Sequence, residues 1–114
     1  NDVVRQSGNL AALISALYTE NYDLISKSLK DYIIEPYRSK LIPEFDLLKK
    51  TALNSGALGS GISGSGPSIF ALSKGKEIAE NVGQEMKKIV SKLPIKHNVY
   101  VSKINQKGVK IIWQ

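Results

Sequence analysis

The sequence predicts a single α+β domain over residues 1–114, with an antiparallel four-stranded sheet and helices packed on one face of it. Three observations support this prediction. Apolar residues in the first half recur at helical spacing, and two short β-rich runs then flank a loop rich in glycine and serine. A strongly amphipathic stretch and two further β-rich runs follow. Because the strands are grouped together, the pattern is typical of an antiparallel sheet with helices on one side.

Three short helices are predicted before the first strand. The first has an apolar stripe at helical spacing, formed by Leu10, Leu13, Ile14, Leu17 and Tyr18. The apolar face of the second is formed by Ile25, Leu29, Tyr32 and Ile33. We expect Pro36 to end that helix nearby, because proline cannot continue a helix interior. Pro43 suits the first turn of the third helix, and Gly56 suits its end. The inward residues of this third helix are Phe45, Leu48 and Ala52.

Four strands and one long helix are predicted in the rest of the chain. Residues 57–63 and 68–73 are predicted as two strands around the glycine loop. Residues 76–93 have the strongest helical pattern in the chain, and Pro94 follows as a terminator. Residues 98–104 and 109–113 are two more β-rich runs, so the sequence predicts a second hairpin there.

The composition is that of a folded protein without thiol chemistry. The chain has 42% hydrophobic residues, four prolines and no cysteine. This composition argues against disorder, and it excludes disulfides, thiolate metal sites and cysteine nucleophiles. No apolar run reaches the roughly 18 residues that a membrane span needs, and no signal peptide is evident. We therefore expect no membrane partner, and the absence of cysteine fits a cytoplasmic protein.

The positive charge is concentrated in the last third of the chain. The formal net charge is +6, and residues 74–114 carry nine lysines and three glutamates. A basic segment raises the question of nucleic-acid binding. However, the only aromatic residues there are Tyr100 and Trp113, and both arginines (Arg5 and Arg38) lie elsewhere. Base stacking needs more aromatic surface than this. We expect a solvated lysine-rich face and no nucleic-acid partner.

The glycine loop is the most informative stretch for function. Three glycines alternate with serines and precede an apolar run in Gly-Ile-Ser-Gly-Ser-Gly-Pro-Ser-Ile-Phe, residues 61–70. Such a loop can turn several backbone N–H groups toward one anion. It can equally be a tight turn between two strands. It is not the lysine-containing phosphate loop, because no lysine follows Gly66. These residues alone leave both interpretations open.

Two blocks of sequence resemble the GHMP kinases, a superfamily of small-molecule kinases. Residues 56–72, Gly-Ala-Leu-Gly-Ser-Gly-Ile-Ser-Gly-Ser-Gly-Pro-Ser-Ile-Phe-Ala-Leu, are similar to the third conserved motif of that superfamily. Residues 35–43, Glu-Pro-Tyr-Arg-Ser-Lys-Leu-Ile-Pro, resemble a segment typical of the homoserine kinases within it. Both blocks belong to the C-terminal domain of such enzymes, which has a ferredoxin-like α+β fold. The resemblance therefore assigns residues 1–114 to that domain.

The resemblance implies an ATP-dependent kinase that phosphorylates the side-chain hydroxyl of L-homoserine to give O-phospho-L-homoserine in threonine biosynthesis. The ATP loop of the superfamily, P-x-x-x-G-L-G-S-S-A, belongs to the N-terminal half and has no counterpart here. We therefore expect a fragment that is inactive alone, with no catalytic residue or metal ligand. ATP and Mg²⁺ would be bound mainly by the missing half. The resemblance also leaves homodimerisation open.

The resemblance further implies which residues bind ligands. Arg38 matches the arginine that serves the substrate in homoserine kinases, where a planar guanidinium can hold a carboxylate in a bidentate pair. The alternative is a surface ion pair of Arg38 with Glu35 or Asp31. Gly64 is assigned to the substrate together with Arg38. The residues assigned to the loop near the phosphates of the cofactor are Gly61, Ser63, Gly64, Ser65 and Gly66.

The remaining charged residues do not predict a metal site. The acids Asp23, Asp31 and Glu35 are expected to face solvent, and His97 is expected in an exposed turn. Asp, Glu and one histidine give no recognisable metal-ligand set.

Two rival functions remain open. The first is another GHMP small-molecule kinase, because the glycine loop alone does not select a substrate. The second is a non-enzymatic α+β ligand-binding module.

Overall fold

The computed structural model describes residues 1–113. Helix α1 (Asp2–Tyr18) and helix α2 (Tyr22–Ser28) come first, followed by a one-turn helix α3 (Glu35–Arg38) and a 3-10 turn (Ser39–Leu41). Helix α4 (Phe45–Asn54) leads into strands β1 (Gly59–Ile62) and β2 (Ile69–Leu72), and helix α5 (Lys76–Val90) follows them. The α+β class is therefore confirmed, with helices before and after a small antiparallel sheet. None of the described helices is both long and apolar enough to cross a membrane.

The first two helices begin at asparagine caps. The side chain of Asn1 accepts a hydrogen bond from the N–H of Val3, and that of Asn21 accepts one from the N–H of Leu24. Asparagine is favoured at this position because its side-chain oxygen pairs with a backbone N–H that has no partner inside the helix. Helices α1 and α2 then pack against each other.

The predicted end of the second helix is wrong. Helix α2 ends at Ser28, and Pro36 does not terminate it. Pro36 instead lies in the first turn of α3, where a proline costs no hydrogen bond. The reason is Asp31, whose carboxylate accepts hydrogen bonds from the N–H groups of residues 33, 34 and 35. Leu29, with ψ at 65°, has already left helix α2, and the bonds to Asp31 start a new helical turn.

The core lies where α4 meets α5 and the sheet. Phe45, Leu48 and Ala52 of α4 are buried, as predicted. Ala52 clusters with Ala57 and with Val82, the buried residue of α5. Because α4 also packs against β1, this core joins the sheet to helices α4 and α5.

The two strands around the glycine loop are confirmed. They pair antiparallel in a register that runs from Gly59 opposite Leu72 to Ile62 opposite Ile69. Strand β1 is buried through its first three residues. It approaches the chain after α2 closely, since a Cβ atom added at Gly59 would lie 2.6 Å from the Cβ of Leu29. A residue without a side chain is therefore required at Gly59.

The predicted four-stranded sheet is wrong for residues 1–113, which form two strands. Residues 98–104 and 109–113 form neither strand nor hairpin ladder. Instead, Val101 packs on Gly83 of α5, where an added Cβ would lie 2.7 Å from the Val101 side chain. Val109 and Trp113 are exposed. An alternating pattern gives a strand only where another strand offers hydrogen bonds. Within the described chain no strand pairs with this segment, so the four-stranded ferredoxin-like sheet does not form.

Candidate functional site

The glycine loop between β1 and β2 is closed by its own backbone. The N–H of Ser63 donates to the carbonyl of Ser68 over 2.8 Å, and the N–H of Gly66 donates to the carbonyl of Ser63 over 3.1 Å. Gly64 and Gly66 have φ values of 59° and 79°. Side chains other than that of glycine are disfavoured at such values, so these two glycines allow the tight turn.

The tip of this loop presents unused hydrogen-bond donors. The N–H groups of Gly64 and Ser65 donate to no acceptor within residues 1–113, and both residues are exposed. A Cβ added at Gly64 would meet nothing within 4 Å. Open space beside two adjacent free N–H groups is suited to an anionic or polar ligand.

Arg38 lies against this loop. Its Nε and Nη2 atoms both donate to the carbonyl oxygen of Ser65, over 2.9 Å and 2.6 Å. A guanidinium has five N–H donors, and these two bonds leave three others for a ligand. Arg38 is exposed and forms no ion pair with a carboxylate of residues 1–113. The alternative considered from the sequence, an ion pair of Arg38 with Glu35 or Asp31, is therefore not found among the described residues.

Two of the acids expected to face solvent have other roles. The Oδ1 atom of Asp31 accepts from the N–H groups of Ile33 and Ile34 over 2.8 Å and 2.9 Å, and Oδ2 accepts from that of Glu35 over 3.2 Å. Asp31 therefore fixes the entry into α3. The expectation holds for Asp23, which forms an exposed ion pair with Lys27.

Glu35 connects α3 to the layer beneath it. Its Oε2 atom accepts a hydrogen bond from Nζ of Lys49 on α4, over 2.5 Å. Its Oε1 atom lies beside Gly61 of β1, where an added Cβ would be 3.2 Å away. The exposed fraction of the side chain is 13% for Glu35 and 24% for Lys49. The sequence did not point to Lys49, because it lies 14 residues from Glu35 on a different element.

The predicted site residues occupy two places. Ser63, Gly64, Ser65 and Gly66 form the exposed or half-exposed loop, together with Arg38. Gly61 lies apart from them, buried in β1 against Glu35 and the Phe70 ring. The structure therefore brings Arg38 and the loop tip together into one surface.

His97 is exposed, as expected. Its Nδ1 atom lies 3.2 Å from the carbonyl oxygen of Ile95, and its Nε2 atom lies 3.5 Å from the hydroxyl of Ser91. Over residues 1–113, no three side chains of His, Asp or Glu are grouped in a way that could hold a metal ion.

A cavity of about 190 Å³ lies between α1, the chain after α2, and β1. Gln6, Asp31 and Glu35 line it. Each of these polar groups already has a protein partner, since Gln6 accepts from the N–H of Tyr32 and the two acids are bonded as described above. Arg38 and the loop tip combine a guanidinium with unused backbone N–H groups on one exposed surface, and we therefore place the candidate site there.

Comparison with known proteins identifies similar chains. A family model described as "GHMP kinases C terminal" matches residues 13–108. The homoserine kinase of Chlorobium phaeovibrioides is 46% identical over 113 residues, covering 97% of this chain and 35% of the relative. The homoserine kinase of Chloroherpeton thalassium is 38% identical over 113 residues, covering 98% of this chain and 35% of the relative.

A solved structure is similar over the same extent. The crystal structure of homoserine kinase from Cytophaga hutchinsonii superposes with a TM-score of 0.91 at 51% sequence identity. It covers 97% of this chain and 35% of the compared chain. This chain therefore spans about a third of the length of the proteins that it matches.

Proposed function

Because this chain belongs to the GHMP kinase C-terminal family, we propose that it is the C-terminal domain of a homoserine kinase. The full-length enzyme transfers the γ-phosphoryl group of ATP to the side-chain hydroxyl of L-homoserine and releases O-phospho-L-homoserine. This reaction belongs to threonine biosynthesis, and we propose a cytoplasmic location for it. The 114-residue chain alone is expected to be inactive, since it spans about a third of its relatives.

The observation that carries this proposal is the contact between Arg38 and Ser65. It joins a guanidinium that has three further N–H groups to a loop tip where the N–H groups of Gly64 and Ser65 have no acceptor among the described residues. Homoserine is an amino acid, and its carboxylate needs donors of this kind. A charge-assisted bidentate pair binds a carboxylate more strongly and with more directional control than neutral donors do. We propose that Arg38 and Gly64 hold the substrate carboxylate.

The remaining loop groups suit the phosphate side of the reaction. Phosphoryl transfer depends mainly on positioning and on stabilisation of spreading negative charge. Ser63, Ser65 and Gly66 can supply hydroxyl and backbone donors for that purpose without exchanging a proton. We propose that they face the ATP phosphates, while Mg²⁺ and most of the nucleotide are held by the N-terminal part of the enzyme. Gly61 contributes indirectly, through the strand that leads into the loop.

The choice of homoserine over other small molecules is supported by the relatives. The proteins that match nearly all of this chain at 38% to 46% identity are named homoserine kinases. Another GHMP kinase would share the glycine loop, whereas the segment from Glu35 to Arg38 resembles the homoserine kinases in particular. A homodimeric enzyme fits this proposal equally well as a monomeric one.

The test is a substrate panel with the full-length kinase. ADP release from MgATP is measured with homoserine, mevalonate and galactose in parallel. We expect release with homoserine only. Release with mevalonate or galactose would keep the superfamily and remove the homoserine assignment. No release with any of the three would favour the non-enzymatic ligand-binding module.

A further inference from the structure

Helix α3, which carries Arg38, is too short to hold itself in place. It has four residues, and isolated helices shorter than about 12 residues are marginal in water. Its orientation must therefore come from contacts made by its side chains and by the residues before it. Arg38 is at its last position and Glu35 at its first, so these two side chains lie on neighbouring points of one turn.

The contacts at the two ends of α3 reach different parts of the domain. At the first position, Glu35 binds Lys49 of α4 and lies against Gly61 of β1. At the last position, Arg38 binds the carbonyl of Ser65 at the loop tip. Helix α3 thus connects α4 and β1 to the tip of the glycine loop. The Glu35–Lys49 pair is its fixed end, because both side chains are mostly buried.

We infer that the ion pair between Glu35 and Lys49 positions the Arg38 guanidinium for the substrate carboxylate. This inference rests on the proposed function, in which Arg38 binds that carboxylate. Glu35 and Lys49 are positioning residues and do not touch the substrate. Their effect is transmitted through one helical turn.

The electrostatics of the pair have a second consequence for Arg38. A free carboxylate at Glu35, one turn away, would compete with the substrate carboxylate for the guanidinium. Lys49 occupies Oε2 of Glu35 and offsets its charge. Opposite charges at this distance in a mostly buried setting interact more strongly than they do in bulk water. The pair therefore holds Glu35 in place and also leaves Arg38 available.

The test uses Glu35→Gln and Lys49→Met in the full-length kinase, with KM for homoserine, KM for ATP and kcat measured for each. Misplacing a binding group by about 1 Å can cost on the order of 100-fold. We expect KM for homoserine to rise about 10- to 100-fold in both variants, with KM for ATP and kcat changing much less. Loss of binding that is shared by ground state and transition state raises KM and leaves kcat alone. A purely structural role would instead lower the active fraction, and therefore apparent kcat, at unchanged KM.

Two variants of the same helix serve as controls. Lys49→Arg keeps the cation and should keep KM for homoserine near that of the unmodified enzyme. Lys50→Met makes the same chemical change at the next residue, which is exposed and has no ion pair among the described residues. It should leave all three parameters unchanged. If Lys49→Met gives too little folded protein, Lys49→Gln provides the same comparison with a polar side chain.

A double variant separates this inference from the proposed function. In the Arg38→Ala background, adding Glu35→Gln should raise KM for homoserine no further, because residues that act through one another are not additive. A further rise would overturn the positioning role. If Arg38→Ala raises KM while Glu35→Gln and Lys49→Met do not, the inference is wrong and the proposed function stands. If Arg38→Ala itself leaves KM unchanged, the proposed role of Arg38 fails first.

Discussion

Residues 31–66 and residues 94–113 differ in how their side chains are used. In the first segment, polar side chains make directed bonds to other elements, such as Arg38 to Ser65 and Lys49 to Glu35. In the second, the side-chain hydrogen bonds of residues 105–107 reach no further than three residues along the chain. Val109 and Trp113 are 99% and 89% exposed.

The contrast between the two segments indicates that a local sequence pattern becomes a helix or a strand only where other residues of the chain bond to it. The E-P-Y-R segment becomes a helix because Asp31 caps its entry and Lys49 holds its first residue. The valines and isoleucines after Pro94 form no ladder with β1, with β2 or with each other in the described residues. Their preference for a strand is therefore not realised here.

The largest expected effect on stability is at the base of the first segment. Gly59→Ala places a Cβ 2.6 Å from the Cβ of Leu29, an atom that cannot rotate away. We expect a loss of about 3 kcal/mol in the free energy of unfolding of the chain, measured by urea titration, as for overpacked cores. The control is Gly8→Ala, where an added Cβ meets nothing within 4 Å. It should stabilise the chain by about 0.5–1 kcal/mol, since alanine is the better helix former. Equal effects at both positions would contradict the close packing of β1.

The cap at the entry of α3 should give the next largest effect. Asp31→Ala removes the acceptor of three backbone N–H groups, and we expect about 2 kcal/mol of destabilisation. Asp31→Asn keeps an oxygen for two of those groups and should lose about half as much. Urea unfolding of both variants measures the difference. If alanine and asparagine behave alike, the three bonds do not contribute as described.

A smaller effect is expected at the loop tip. Gly64 has a φ of 59° and open space around it, so alanine there meets backbone strain and no clash. We expect Gly64→Ala to cost about 1 kcal/mol in stability. Gly64→Asn should cost less, because asparagine tolerates this conformation. A cost for alanine as large as that at Gly59 would mean that the loop tip is packed and not open.

The smallest effect is expected in the second segment. Val109→Ser changes a fully exposed side chain, and we expect a change below about 0.5 kcal/mol in the unfolding free energy of the chain. Val82→Ala, at a position 2% exposed, should cost about 2 kcal/mol and serves as the comparison. A loss above about 1 kcal/mol at Val109 would show that the two segments are packed alike in solution, which would remove the contrast between them.

The sequence predicted those parts of the fold that depend on nearby residues. The inward face of α4, with Phe45, Leu48 and Ala52, follows directly from helical spacing. The two strands around the glycine loop follow from the turn residues between two apolar runs. The end of α2 was missed because Pro36 suits both the end of one helix and the start of the next. The C-terminal strands were wrongly predicted because alternation does not reveal whether a pairing strand is available.

The sequence identified the main residues of the candidate site but not all of the contacts that hold them. Arg38 and the loop were both singled out through their resemblance to known kinases, and the structure brings them into contact. The role of Lys49 was missed, because a pair formed between different elements leaves no periodic signal. An Asp four residues before Glu35 was a usable signal for the cap, since Asp is favoured where backbone N–H groups lack partners.

The most direct measurement compares two substrates in the unmodified full-length kinase and in its Arg38→Ala variant. Homoserine and 3-aminopropan-1-ol share the reacting hydroxyl and the amine, but only homoserine has a carboxylate. We expect Arg38→Ala in the full-length kinase to lower kcat/KM for homoserine. The expected decrease corresponds to a loss of about 2–4 kcal/mol in transition-state stabilisation, as when one partner of a charge pair is removed. The same substitution should leave kcat/KM for 3-aminopropan-1-ol nearly unchanged. An equal loss for both substrates would contradict the assignment of Arg38 to the carboxylate.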